Sequence, residues 1–209
     1  MWDLLQSFPT DRLLAFLAAA IVLNLTPGAD VLYATTCGLQ GGPRAGAAAG
    51  LGAALGSLWH VGLSAFGLSA LLVAVPNALT ALRWFGTAYL LWLAWQSWQA
   101  GGSEAAGGEA AGIAPGAAMR RAFLINAANP KVALFMLAFL PQFTDPALGP
   151  IWRQIVLLGL MVTVTGGTIT GAYGALAGWL GGSLARRMSV LNRIAAIMLV
   201  ILAARFVLH

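Results

Sequence analysis

Asn24-Leu25-Thr26-Pro27-Gly28-Ala29-Asp30 interrupts an apolar run over residues 13–36, and Asn126-Ala127-Ala128-Asn129-Pro130-Lys131 interrupts a second over 118–140. Each run has the roughly 20 residues that a helix needs to cross a bilayer. Proline removes a backbone donor and clashes with the preceding turn, and Gly28 loosens the first break further. Backbone groups freed at membrane depth cannot face lipid, so they must meet other protein groups or a wet cavity. Short polar side chains flank each break: Asn24 and Thr26 at the first, Asn126 and Asn129 at the second. Each break is followed by an ionisable residue, Asp30 after Pro27 and Lys131 after Pro130. A charge near mid-bilayer costs at least about 2.5–3.5 kcal/mol on insertion scales, so it persists where it pairs, meets water or does work.

The composition identifies lipid as the solvent. Of 209 residues, 60% are apolar and 8% are charged, against about 45–50% and about 25% in an average soluble domain. The mean hydropathy is +0.84. A soluble chain of this size has too much surface for its volume to hide so much apolar area. The net charge of +5 comes from scattered arginines, with neither a basic stripe nor an aromatic RNA-binding pattern, so nucleic acid is not an expected partner. The single cysteine, Cys37, excludes an intramolecular disulfide and a Cys-x-x-Cys pair.

Working outward from the breaks gives six spans, near 13–36, 46–74, 77–98, 118–140, 154–179 and 188–208. Residues 101–117, rich in Gly, Ala and Glu, read as a flexible linker within one membrane domain covering 1–209. The linker separates a first three-span repeat (1–100) from a second (118–209). With three spans per half, the second half enters the membrane from the opposite side. The expected fold is therefore all-α and integral to the membrane: six transmembrane helices as two inverted three-helix repeats, with helices one and four broken near mid-bilayer. Arg44, Arg120, Arg121, Arg186, Arg187 and Arg193 fall on one side; Arg12, Arg83, Arg153 and Arg205 fall on the other. The two Arg-Arg pairs make the first side cytoplasmic, so both termini are expected to face outward. Gly46/Gly50 and Gly52/Gly56 in span two, with the glycines from Gly159 to Gly178 in span five, predict close packing of these spans around the broken ones.

Two half-helices meeting at a cavity present dipole ends to a solute. Asp30 and Lys131 are expected either to pair across the pseudo-symmetry axis or to hold the two ends of a zwitterion. Asp30 would alternate between protonated and ionised forms as the cavity opens to either side, the simplest route to proton-coupled antiport. Tyr33, one turn after Asp30, and His60, within span two, are further candidate binding residues, each with an ordinary packing role as its alternative. No cofactor is called for. An enzyme would need a nucleophile with a base, or a metal cluster, and neither is in the sequence.

These residues also carry a family resemblance over nearly the whole chain. Thr26-Pro27-Gly28-Ala29-Asp30 is followed by Gly38-Leu39, Gly42, Ala45-Gly46, Gly52, Gly56 and His60; then come Gly86-Thr87-Ala88-Tyr89-Leu90, Asn126 with Asn129-Pro130-Lys131 and Phe135, and Leu140-Pro141-Gln142-Phe143. In this ordered set the chain resembles the LysE/RhtB family of bacterial amino-acid exporters. The resemblance implies a multi-pass protein of the bacterial inner membrane. It would export an amino-acid-like solute (threonine, homoserine, homoserine lactone, leucine or lysine) by proton antiport, with association between copies left open. One departure is Ala29, where the family usually has a second proline. Related families move cadmium and other cations, so metal-cation export is the alternative. Such a site wants several soft or acidic ligands together, and the spans offer Cys37, His60 and Asp30.

Overall fold

The computed structural model describes residues 2–74, 78–99, 112–181, 190, 193–194 and 196–204. The described residues form helices and turns with no strand. The order is α1 (Trp2–Ser7), α2 (Thr10–Leu25), α3 (Ala29–Ala74), α4 (Ala78–Gln99), α5 (Pro115–Ala127), α6 (Pro130–Phe139) and α7 (Ile151–Leu180), with two short 3-10 turns between α6 and α7. Helical backbone recurs over 196–204, inside the sixth predicted span; most of 182–195, including Arg186 and Arg187, lies outside the described residues. So does most of the stretch read as a linker, but a helix starts within it at Pro115, a residue suited to the first helical turn.

α2 ends at Leu25 and α3 starts at Ala29, so the chain leaves the helix at Thr26-Pro27-Gly28. α5 ends at Ala127 and α6 starts at Pro130, and the pair is bent by 50° there. The interruptions shorten the pieces. α2, with 16 residues, is about 24 Å long, less than a bilayer core of about 30 Å. Among the described residues, Ala29–Gly67 and Ile151–Leu180 are long and apolar enough to cross a membrane, and the bent pair α5–α6 is a third such span if taken as one.

α3 is a helical hairpin rather than one rod. Gly42 has φ 78° and ψ 179°, outside the helical region, a conformation that glycine adopts readily. Ala34 and Gly46 both reach Gly174 of α7, although twelve residues of straight helix would hold them about 18 Å apart. The turn falls at one glycine between the first two expected spans, 13–36 and 46–74.

The second arm of α3 and α7 form the centre of the molecule. They run antiparallel, with Gly46 against Gly174, Gly50 against Gly171, Ala54 against Gly167 and Val61 against Gly159. A Cβ added to Gly46 would stand 2.2 Å from the Gly174 carbonyl carbon, and one on Gly50 2.3 Å from the Gly171 Cα. Backbones this close have no room for a methyl group, as the glycine spacing predicted. The opposite edge of the same arm packs on α5, Gly52 against the Met119 carbonyl and Gly56 against that of Phe123. Trp84, Trp95, Trp98, Trp152 and Trp179 stay exposed, in keeping with lipid-facing anchors.

Candidate functional site

The two interruptions meet. Lys131, in the first turn of α6, donates from Nζ to the Thr26 carbonyl at the first break. Asn126, in the last turn of α5, donates from Nδ2 to Asp30 Oδ2 at 3.4 Å. Asp30 and Lys131 flank Gly28: a Cβ there would lie 3.0 Å from Asp30 Oδ1 and 3.5 Å from Lys131 Nζ. No ion pair joins them; elsewhere Arg12 and Asp145 form one, at 3.2 Å. The acid and the amine therefore face a common gap at Gly28 without direct contact.

The freed backbone groups find protein partners, as a lipid surround requires. Pro130 has no N–H for the Asn126 carbonyl four residues back. That carbonyl accepts instead from the Asn129 N–H at 2.9 Å and lies 2.9 Å from His60 Nε2. At the first break the Leu25 carbonyl accepts from Tyr173 Oη at 3.3 Å, and the Thr26 hydroxyl donates to the Val22 carbonyl at 2.8 Å. Asn129 caps α6 by accepting the Lys131 N–H at 3.0 Å. Asn24 donates to Thr165 Oγ1 at 2.9 Å and to the Val162 carbonyl at 3.3 Å.

Beside this junction lies a small cavity. Asn24, Asp30, Ser57, Asn126, Thr163 and Thr170 form its polar wall, and Leu23, Val132 and Val162 are among its apolar residues. Asp30 Oδ1 and Asn126 Oδ1 are buried without a hydrogen-bond partner. Buried polar groups are rarely left so. Two open acceptors, one of them on a carboxylate, suit a cationic donor such as a primary ammonium group.

Of the residues singled out in the sequence, Asn24, Asp30 and Asn126 line the cavity. Thr26, Pro27, Gly28, Asn129, Pro130 and Lys131 build the junction beside it. His60 supports the second break through the Asn126 carbonyl. Tyr33 is not brought to this group: it lies under the Arg121 guanidinium, 5.6 Å from its ring centroid, and packs against the cluster that includes Cys37. Among the described residues no three His, Cys, Asp or Glu side chains come together in a metal-binding group.

Ser57 and Thr163 were missed as a pair. Thr163 donates to Ser57 Oγ at 3.1 Å across the central helices. Their signal was present: the small residues Gly46, Gly50, Ala53 and Ser57 recur on one helical face, and Thr163, Gly167, Thr170 and Gly174 recur on another. Following the glycine stripes to their inner ends leads to the two hydroxyls.

A family model described as LysE type translocator matches residues 21–209. The chain is similar to an uncharacterized membrane protein of Vibrio cholerae, at 34% identity over 80% of this chain and 82% of that one. It is also similar to a homoserine/homoserine lactone efflux protein of Salmonella typhi, at 32% identity over 86% and 87% respectively. A leucine efflux protein of Klebsiella pneumoniae is 29% identical over 63% of this chain and 62% of its own length. No solved structure matches the chain.

Proposed function

This chain belongs to the LysE type translocator family, and from that premise we propose that it exports amino acids or close derivatives across the bacterial inner membrane in exchange for protons. The observation that carries this reading is the junction of the two helix interruptions, with Asp30 and Lys131 on either side of Gly28 beside a polar cavity. The substrate ammonium group binds Asp30 Oδ1 and Asn126 Oδ1, the two oxygens without partners. Its carboxylate competes with the Thr26 carbonyl for Lys131. A proton and the ammonium group then claim the same carboxylate. Because they exclude each other there, inward passage of one is coupled to outward passage of the other.

The six-span inverted repeat is part of the same reading. It is supported by matching contacts between the halves: Asn24, before Pro27, is tied to the Val162 carbonyl in α7, and the Asn126 carbonyl, before Pro130, is met by His60 in α3. The antiparallel glycine contacts of α3 and α7 suit a two-fold axis in the membrane plane. In this arrangement the termini face the periplasm.

The test is release of labelled amino acids from proteoliposomes holding the purified protein. Release of at least one amino acid should exceed that from protein-free vesicles, accelerate when the outside is acidified, and lose that acceleration with a protonophore. Failure to release any amino acid would sink the proposal; release indifferent to the proton gradient would remove the antiport.

A further inference from the structure

We propose that α2 is a gate arm: it pivots at Thr26-Pro27-Gly28 and closes the route between the cavity and the face of the molecule that carries Arg12 and Asp145. This deepens the export reading and rests on it. Leu23 of α2 and Val132 of α6 both line the cavity. Seven residues from each, about 10 Å along the helix axis, stand Phe16 and Phe139, with ring centroids 6.0 Å apart. The two helices therefore run antiparallel, and the seam between them leads away from the cavity. Aromatic rings fill it. Phe135 stacks on Phe139 at 4.2 Å, and Phe143 meets Phe16 edge-on at 5.2 Å. Phe16, Phe135 and Phe139 are buried. One turn beyond Phe16, Arg12 reaches Asp145 at 3.2 Å.

This seam differs from the centre of the molecule. α3 and α7 meet backbone on backbone, with no space for a methyl group. α2 and α6 meet through rings, which move between discrete rotamers, so their contact has the two arrangements a gate needs. Both ends of α2 suit a swing. At its inner end Thr26 has ψ 112° and has already left the helix, and Asn24 ties that end to Thr165 of α7. At its outer end the holding pair, Arg12 and Asp145, is 36% and 35% exposed, and such pairs contribute little to stability. Asp145 stays with α7: its N–H donates to Gln154 Oε1 at 2.9 Å, and its carbonyl accepts from Gln154 Nε2 at 2.8 Å. Arg12 leaves with α2.

A reversible bridge across the seam tests the gate. Arg12→Cys with Asp145→Cys is made in a Cys37→Ala background, linked in the purified protein with a bifunctional methanethiosulfonate, and reconstituted for release of labelled amino acids. The bridged protein should release no more than protein-free vesicles do, and a reductant should restore the rate of the background protein. Either single-cysteine variant, treated alike, should keep that rate. Phe16→Cys with Phe143→Cys puts the bridge in the ring layer and should block release in the same reversible way. The first pair lies outside that layer, so it reports even where the second fails to fold. Release undiminished by either bridge, failure of the reagent to join Cys at 12 and 145, or release by that pair already lost before bridging overturns the gate and leaves amino-acid export standing. Release of no amino acid by the background protein overturns both.

Discussion

The two breaks use the same chemistry to different ends. At the first, Asp30 sits in the opening turn of α3, where the helix dipole favours an anion, and one of its oxygens is left open. At the second, Lys131 sits in the opening turn of α6, where its own helix disfavours a cation. It reaches instead to Thr26, just past the C-terminus of α2, where a cation is favoured. The second break is also closed by the Asn129 cap and by His60. One break therefore offers a charge to the cavity, and the other uses its charge to hold the first in place. Two breaks of similar local chemistry need not divide the labour equally: the acid leaves an oxygen open beside the cavity, and the amine holds the Thr26 carbonyl until a substrate carboxylate competes for it.

The sharpest way to break this comparison is Asp30→Asn. The substitution keeps the shape and removes the charge that would meet an ammonium group, so export should fall by about a hundredfold, with the thermal midpoint nearly unchanged. Export near the wild-type rate in vesicles would place the binding group elsewhere. Lys131→Met comes next. It deprives the Thr26 carbonyl of its donor, which should cost about 1–3 kcal/mol of stability, read as a lower thermal midpoint in detergent, along with roughly tenfold slower export. An unchanged midpoint would refute the clamp.

Asn129→Ala sharpens the comparison on a smaller scale. Losing the α6 cap should cost about 1 kcal/mol and slow export less than Lys131→Met does; a larger effect on export than on stability would make Asn129 itself a binding residue. The smallest effect belongs to the loop before α7. There the Ala147 N–H, and then the Arg12 guanidinium, hold the Asp145 carboxyl below the usual carboxylate range. A carboxyl depressed in the folded state stabilises above its unfolded pKa, and the contribution is lost as pH falls through the folded value. The difference in thermal midpoint between wild type and Asp145→Asn should therefore be slight at neutral pH and vanish in strong acid. A difference that persists there would assign the effect to packing.

Much of this was legible in the sequence because it rests on local rules. Pro27 and Pro130 break helices wherever they sit, and glycines four apart permit backbone contact whatever the partner. The faces that meet were harder to read. Tyr33 is one turn from Asp30, yet it lies with Arg121, because its direction depends on how the first arm of α3 lies against its neighbours. Gly42 reads as one glycine among several, and its hairpin is fixed by the approach of both arms to Gly174. Asp30 and Lys131 attract at any distance, but competition from a helix C-terminus drew the amine elsewhere. The Ser57–Thr163 bond joins residues 106 apart in sequence; the spacing puts each hydroxyl on its small-residue stripe but does not say which residue of the other helix it meets.

The clamp has a consequence for how the chain is made. The Thr26 carbonyl receives its donor from Lys131, 105 residues later, and the Leu25 carbonyl receives its own from Tyr173, 148 residues later. Until the second half is made, these two carbonyls at the first break lack the donors that the folded chain gives them. A nascent chain truncated near residue 100 should thus be recognised by membrane proteases as unfinished, and supplying 112–209 as a separate polypeptide should rescue it.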